Sequence, residues 1–153
     1  MKGEVENLKF IHKILEDKQD RLWIILENGK LYRADKKGKL TKQIPGAETL
    51  EAKDIRQDNK GNIYLATKND GIYLLKAGST IFTKIAGIGN LPIDNIYISR
   101  DQRLFIGCDG MGIFVYNPVT GFLQNNPLFS REVNLAKCKI TSIIEDFTGN
   151  IWV

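Results

Sequence analysis

The chain has 153 residues, 42% of them hydrophobic, 26% charged and 9% aromatic, with 14 glycines and a net charge of +4. That is length and apolar content for one ordinary domain, which excludes wholesale disorder, and no apolar run approaches the ~18 residues of a membrane-spanning helix. The basic excess lies in residues 1–76, where 16 basic groups alternate with 12 acidic ones and form no stripe of the kind nucleic acid requires.

In chain order the sequence repeats itself. FIHKILEDKQDRLWIILENGKLYRAD begins at Phe10, EAKDIRQDNKGNIYLATKNDGIYLLK at Glu51, PIDNIYISRDQRLFIGCDGMGIFVYN at Pro92 and KITSIIEDFTGNIWV at Lys139. The aromatic anchors Trp23, Tyr64, Phe105 and Trp152 are 41, 41 and 47 residues apart, the longer step being taken up around residues 125–137. Ile11, Ala52, Ile93 and Ile140 share one column, Ile14, Ile55, Ile96 and Ile143 a second, and Asp17, Asp58, Ser99 and Asp146 a third. The repeats are placed at about 10–50, 51–91, 92–138 and 139–153, the last one cut short.

Each repeat predicts strands, because its apolar runs are short, rich in β-branched and aromatic residues, and bounded by polar turns. The first strand is expected at Ile11–Glu16 and its equivalents. A turn such as Asp58-Asn-Lys-Gly-Asn62 then reverses the chain, its Asp accepting backbone amides and its Gly supplying positive φ. The second strand is LWIIL, IYLAT or LFIGC and the third LYRA, IYLL or IFVY. A weaker fourth is expected at Lys39–Ile44, Thr80–Ile85 and Phe122–Gln124. Four antiparallel strands in about 41 residues is the pattern of a β-propeller blade, and apolar residues on both faces of the inner strands fit packing between blades. The expected fold is therefore all-β, a partial propeller of about three and a half blades over residues 1–153.

The phrases Asp58-Asn-Lys-Gly-Asn-Ile-Tyr-Leu-Ala-Thr67 and Glu145-Asp-Phe-Thr-Gly-Asn-Ile-Trp-Val153, with Asp70-Gly-Ile-Tyr73 after the first of them, resemble the two-component regulator propeller repeat. The first repeat departs from it at Asp20-Arg21, and the third at Ser99 and Gln102-Arg103. The resemblance implies the extracytoplasmic sensor region of a Bacteroidetes hybrid histidine kinase, a dimeric parent with further blades, a membrane span and cytoplasmic kinase and receiver modules. It also implies a periplasmic location and a ligand that is an oligosaccharide. By the same resemblance the chain itself carries no kinase chemistry and makes no membrane contact. The alternative is a propeller scaffold for protein interaction unrelated to signalling.

No enzymatic constellation is identifiable, and no catalytic residue, metal ligand or cofactor is expected. The repeated aspartates belong to hairpin turns and the aromatic anchors to the core. His12 shares the column of Lys53, Asp94 and Thr141, a polar position taken to face outward. Cys108 and Cys138 lack a CxxC partner and suit buried thiols better than a zinc site or a disulfide. The 107–112 segment joins two strands and opens no helix, so it is a turn and not a phosphate loop. Ligand contacts are expected from the second-to-third-strand turns and from the loops entering each first strand (Thr49–Lys53, Asn90–Asp94 and Asn134–Lys139), with Asn69, Asp70, Asp109 and Met111 as candidates, since amides and carboxylates suit sugar hydroxyls. An open arc of blades exposes an apolar face at each end, so the isolated chain should self-associate; sedimentation velocity should show concentration-dependent oligomers and not one stable monomer.

Overall fold

The computed structural model describes residue 8 and residues 10–41, 44–125 and 138–153. Among them the chain forms fourteen strands and no helix. β1 (Ile11–Glu16), β2 (Leu22–Leu26), β3 (Leu31–Ala34) and β4 (Leu40–Thr41) form an antiparallel sheet in chain order. A second such sheet holds β5 (Ala52–Gln57), β6 (Ile63–Thr67), β7 (Ile72–Leu75) and β8 (Thr83–Lys84). The third holds β9 (Ile93–Ile98), β10 (Leu104–Cys108), β11 (Gly112–Asn117) and β12 (Phe122–Asn125), while β13 (Ile144–Glu145) and β14 (Ile151–Trp152) make a two-stranded fourth. This is the expected partial propeller, three blades and a half.

The first and second strands of the three full blades lie where the repeat puts them. β4 and β8 are shorter than expected, while β12 runs one residue further, to Asn125; part of the span expected for β4 falls at residues 42–43, outside the described residues, as does most of the 125–137 insertion. The last blade also departs from its repeat. Its first strand pairs only at Ile144 and Glu145, against Trp152 and Ile151, so the residues equivalent to the start of β5 run as an unpaired segment.

The sheets stack face to face. Trp23 and Ile25 of β2 share a core with Ala52, Ile55, Ile63 and Leu65 of the next blade. Tyr64 and Ala66 of β6 do the same with Ile93, Ile96, Leu104 and Ile106, and Phe105 of β10 with Ile140 and Ile143. Alternate side chains of each second strand thus point into different blade interfaces, which is why these strands show no polar alternation. The facing volumes also compensate: Ile25 shares its core with Ala52 and Ala66 with Ile93, whereas Gly107 meets Ile140. Where a neighbouring blade is missing among the described residues, the same columns are bare. Ile14 is 53% exposed while Ile55 and Ile96 are at 0% and 1%, and Trp152 is 60% exposed while Trp23 is at 0%.

The turn after each first strand is built on one acceptor. Asp17 Oδ1 accepts the amides of Gln19 (2.9 Å) and Arg21 (3.0 Å), and Oδ2 accepts Arg21 Nε (2.6 Å) and the Trp23 indole N–H (2.7 Å). Asp146 repeats this with the amides of Thr148 and Asn150, the Asn150 side chain and the Trp152 indole. Asp58 takes the amides of Lys60 and Asn62 and the Asn62 side chain. In the third blade Ser99 keeps only the amide of Arg103, and the carboxylate has moved two residues on. There Asp101 accepts the Ser99 hydroxyl (2.5 Å) and Arg103 Nε (2.6 Å). The left-handed position of the turn is Gly61 and Gly149 in two blades but Asp20 (φ 55°) and Gln102 (φ 65°) in the others. The turns also stitch blades together, because the amides of Lys18, Asn59 and Arg100 donate to Gln57, Gln102 and Glu145 of the following blade.

Burial alone would raise the Asp17 pKa, but the indole, the Arg21 amide and guanidinium and the Gln19 amide outweigh it and hold the carboxyl below its ordinary value. Asp146 is lowered too, chiefly by the Thr148 hydroxyl and the Trp152 indole. A carboxylate lowered on folding contributes its stability above its unfolded pKa and loses it as pH falls through the folded value. Asp17→Asn should therefore cost about 2–3 kcal/mol in urea unfolding at neutral pH, since it strands the buried indole N–H and the Arg21 guanidinium. The gap to the unmodified chain should narrow below about pH 4.

Candidate functional site

The first strands, β1, β5 and β9, are the inner strands of their blades: β5 packs against β9 and β1 against β5, while β4, β8 and β12 lie at the far edge of each sheet. Each inner strand carries an irregularity at the same place. Ile11 pairs with Leu26 and Lys13 with Ile25, so His12 is skipped. Lys53 is skipped between Ala52 and Asp54, and Asp94 between Ile93 and Asn95. These are β-bulges, devices that re-aim a side chain and take its residue out of the ladder. A sequence signal was present: the apolar columns of the first strand are three residues apart (11 and 14, 52 and 55, 93 and 96), which a regular two-residue alternation forbids.

The bulges bring the blades together at the axis. His12, Lys53, Asp94 and Thr141, the first and last exposed as their polar column suggests and the other two half-buried, line one basin of ≈ 320 Å³ with their neighbours Lys13, Asp54, Asn95, Lys139 and Ile140, and all four blades contribute to it. The basin opens at the end where the first strands begin, which is also the end of the second-to-third-strand turns.

Part of its polar lining is committed to holding blades together. Asp54, 2% exposed, accepts the amides of Ile55 (2.8 Å) and Ile96 (3.1 Å) and pairs with Lys13 (3.0 Å) and Arg56 (3.5 Å). Arg56 Nε in turn donates to the Ile96 carbonyl (3.0 Å), and the Asn95 amide nitrogen donates to the Ile140 carbonyl. Two oxygens beside these, Asp94 Oδ2 and Asn95 Oδ1, are buried with no hydrogen-bond partner among the described residues. A buried acceptor left unmade costs on the order of 1–3 kcal/mol, and Asn95 Oδ1 is packed beside Gly107 in the interface with the fourth blade. Lys53 is half-buried at the basin, and Lys139 and His12 are exposed there.

The four residues expected to bind ligand lie elsewhere on this end. Asn69 and Asp70 sit in the β6–β7 turn, Asp109 and Met111 in the β10–β11 turn, and none lines the basin. Asp70 is occupied locally: it accepts the Tyr73 hydroxyl (2.6 Å) and Lys84 Nζ, which also reaches Asn90 Oδ1 (2.7 Å). Lys84 first, then Tyr73, lowers the Asp70 carboxyl, and the bond to Asp70 together with burial pushes the Tyr73 phenol up to about 12. Asn69, Asp109 and Met111 are exposed. Cys108 is a buried thiol with its pKa pushed up to about 12 by burial and by the charge of Asp94, whereas Cys138 is only half-buried. No group of three or more His, Cys, Asp or Glu among the described residues is placed to hold a metal ion, and none of their helices could span a membrane, since there are none.

The fold and its axial basin define a segment of β-propeller. Solved structures share it. The extracellular domain of BT4673 from B. thetaiotaomicron, described as a one component and as a hybrid two component system, superposes with TM-scores of 0.71 and 0.67. The identity is 20%, over 93% of this chain and 20% and 21% of that one. The extracellular domain of the hybrid two component system BT3049 from the same organism gives 0.65 at 20% identity, over 92% of this chain and 18% of that one. PorZ, a surface component of the type-IX secretion system of Porphyromonas gingivalis, gives 0.70 at 11% identity, over 89% of this chain and 23% of that one. At these identities the likeness establishes the fold, and the chain spans about a fifth of each of those domains. No protein-family model and no curated protein sequence matches it.

Gly107 permits the close approach of the fourth blade to the third. A Cβ there would lie 2.6 Å from Ile140 Cγ2 and 2.9 Å from Asn95 Oδ1. Gly107→Ala should push the fourth blade away and cost about 1–3 kcal/mol, read as a lower urea midpoint, with amide chemical-shift changes confined to residues around 95 and 140.

Proposed function

We propose that this chain supplies blades to the extracytoplasmic sensor region of a hybrid two-component system and that the region receives an oligosaccharide. The observation that carries this reading is the coincidence of two likenesses. The Asp-x-x-Gly-Asn-Ile-(Trp/Tyr) turn and strand of the second and fourth repeats resemble the two-component regulator propeller repeat, and the fold superposes on two B. thetaiotaomicron extracellular domains over more than nine-tenths of the chain. The geometry is compatible with it. Rigid stacked blades present turns and a polar basin at one end, a frame that transmits ligand binding as a change in domain packing or dimer geometry.

The kinase activity belongs, on this reading, to modules outside these residues, and the chain contributes recognition and no catalysis. The test is made in the parent protein. Cells carrying it should switch on a transcriptional reporter with one class of oligosaccharide, and replacing the segment equivalent to residues 10–153 should abolish both that response and binding by the sensor region. A parent whose sequence continues into blades alone, without a membrane span or kinase motifs, would overturn the reading in favour of an interaction scaffold.

A further inference from the structure

We propose that the cleft between the second and third blades, at the end of the Asp58 turn, binds a small carboxylate whose apolar body is about the size of an aromatic ring. The inference goes beyond the sensor reading and does not depend on it.

The cleft has a volume of ≈ 390 Å³, which is within the range of small-molecule sites and larger than the axial basin. Its apolar surface comes from Tyr64, Leu74 and Ile85 of the second blade and from Tyr116, Pro118 and Val119 of the third. Its acceptors are spent within the protein. Asp58 takes the Lys60 and Asn62 amides and the Asn62 side chain. Asn62 Oδ1 takes the Ala77 amide (2.9 Å), and Gln102 Oε1 takes that of Asn59 (3.0 Å). The groups left over are donors. They are the Tyr116 hydroxyl and the ammonium groups of Lys60 and Lys76, none of which has a partner among the described residues.

Tyr116 is the group that asks for a ligand. It is 8% exposed, and burial raises its phenol with no bonded partner contributing. Burial, then the nearby Asp58 and Tyr116, push the Tyr64 phenol up to about 12, so the two phenols and the carboxylate stand together. Tyr64 is turned to Asp58. The Tyr116 hydroxyl is unpaired but not sealed off, in contrast to Asp94 Oδ2 and Asn95 Oδ1. A buried phenol left open has a hydrogen bond to give, and two ammonium groups at the rim select an anionic acceptor for it. A ligand rich in hydroxyls would find the acceptors already taken, and a cation would meet the two lysines.

Stacking alone does not produce this lining. The same columns of the first interface hold Arg21, Trp23, Arg33 and Leu75 where the cleft has Asn62, Tyr64, Leu74 and Tyr116. There the guanidiniums of Arg21 and Arg33 each lie 5.6 Å from the Trp23 ring and cover it, and the space that remains is ≈ 280 Å³. In the third blade Arg103 covers Phe105 at the same distance of 5.6 Å. Around Tyr64 these covers are replaced by Asn62 and Leu74, while Pro118 and Val119 raise an apolar wall where the first interface has Ala77 and Gly78.

Phenylacetate is the probe, with phenethyl alcohol and phenethylamine as its neutral and cationic counterparts. Titrated into the 153-residue chain, phenylacetate should move the amide resonances of residues 60, 76, 102 and 116–119. The alcohol should bind roughly fivefold more weakly, and the amine more weakly still. Lys60→Gln/Lys76→Gln should weaken binding of the acid roughly fivefold and leave that of the alcohol unchanged. Tyr116→Phe, which keeps the ring, should weaken binding of the acid by roughly fivefold to tenfold. Lys30→Gln, in a turn of the first blade, should change nothing. All variants should keep the thermal midpoint of the unmodified chain, since neither the lysine heads nor the hydroxyl bonds within the protein. Equal binding of the three probes, shifts confined to the apolar ends of the arc around Ile14 and Trp152, or a lysine or tyrosine variant that binds as before would each overturn the proposal.

Discussion

Everything in this structure follows from the stacking of sheets face to face. A β-sheet in water can afford one polar face, but a sheet held between two others cannot, and β6 and β10 accordingly bury every residue. Once both faces are apolar, the steric fit between successive blades becomes the controlling constraint. It is met by compensation across the interface, a large residue on one side facing a small one on the other, with Gly107 as the limiting case. The turns add a second level of fixation, since each gives one backbone amide to the next blade. The blades are thus locked at the core and at the rim, and what remains adjustable is confined to the inner ends of the strands and the connecting turns.

Most of the fold was legible because the repeat supplied several samples of one structural solution. Four copies of a column show which property the position needs, and the strands of the full blades came out at or within a residue of their expected bounds, the short outer strands excepted. The third blade is where a column misleads. Ser99 looks like the loss of the turn carboxylate, yet Asp101 restores it from two residues further on, with Arg103 doing the work of Asn62. Column alignment compares side chains at equal sequence number, whereas the turn requires only that a carboxylate reach the right point in space.

The candidate site was less legible for a related reason. Asn69, Asp70, Asp109 and Met111 stand in turns, where variable polar residues are easily seen, and Asp70 is engaged there with Tyr73 and Lys84. The polar column of His12, Lys53, Asp94 and Thr141 is plain in the sequence, but its convergence on one basin is not, because a column carries no information on how neighbouring first strands are placed. The three-residue spacing of its apolar neighbours marks the bulge, and the bulge decides where the side chain goes. That information was in the sequence, in the distance between hydrophobic residues and not in the polar residue itself.

The bulges have a consequence for how such a protein changes over time. A residue outside the ladder can be exchanged without disturbing a strand pair, and a residue outside the blade interface can be exchanged without disturbing the stack. His12, Lys53 and Asp94 satisfy the first condition, and each flanks an apolar residue that satisfies the demands of the second on its behalf. The chemistry of the axial end and the packing of the blades are therefore written in different letters of the same strand. A lineage built on this repeat can redraw the chemistry of its axial end one blade at a time, by single substitutions, while the architecture stays fixed.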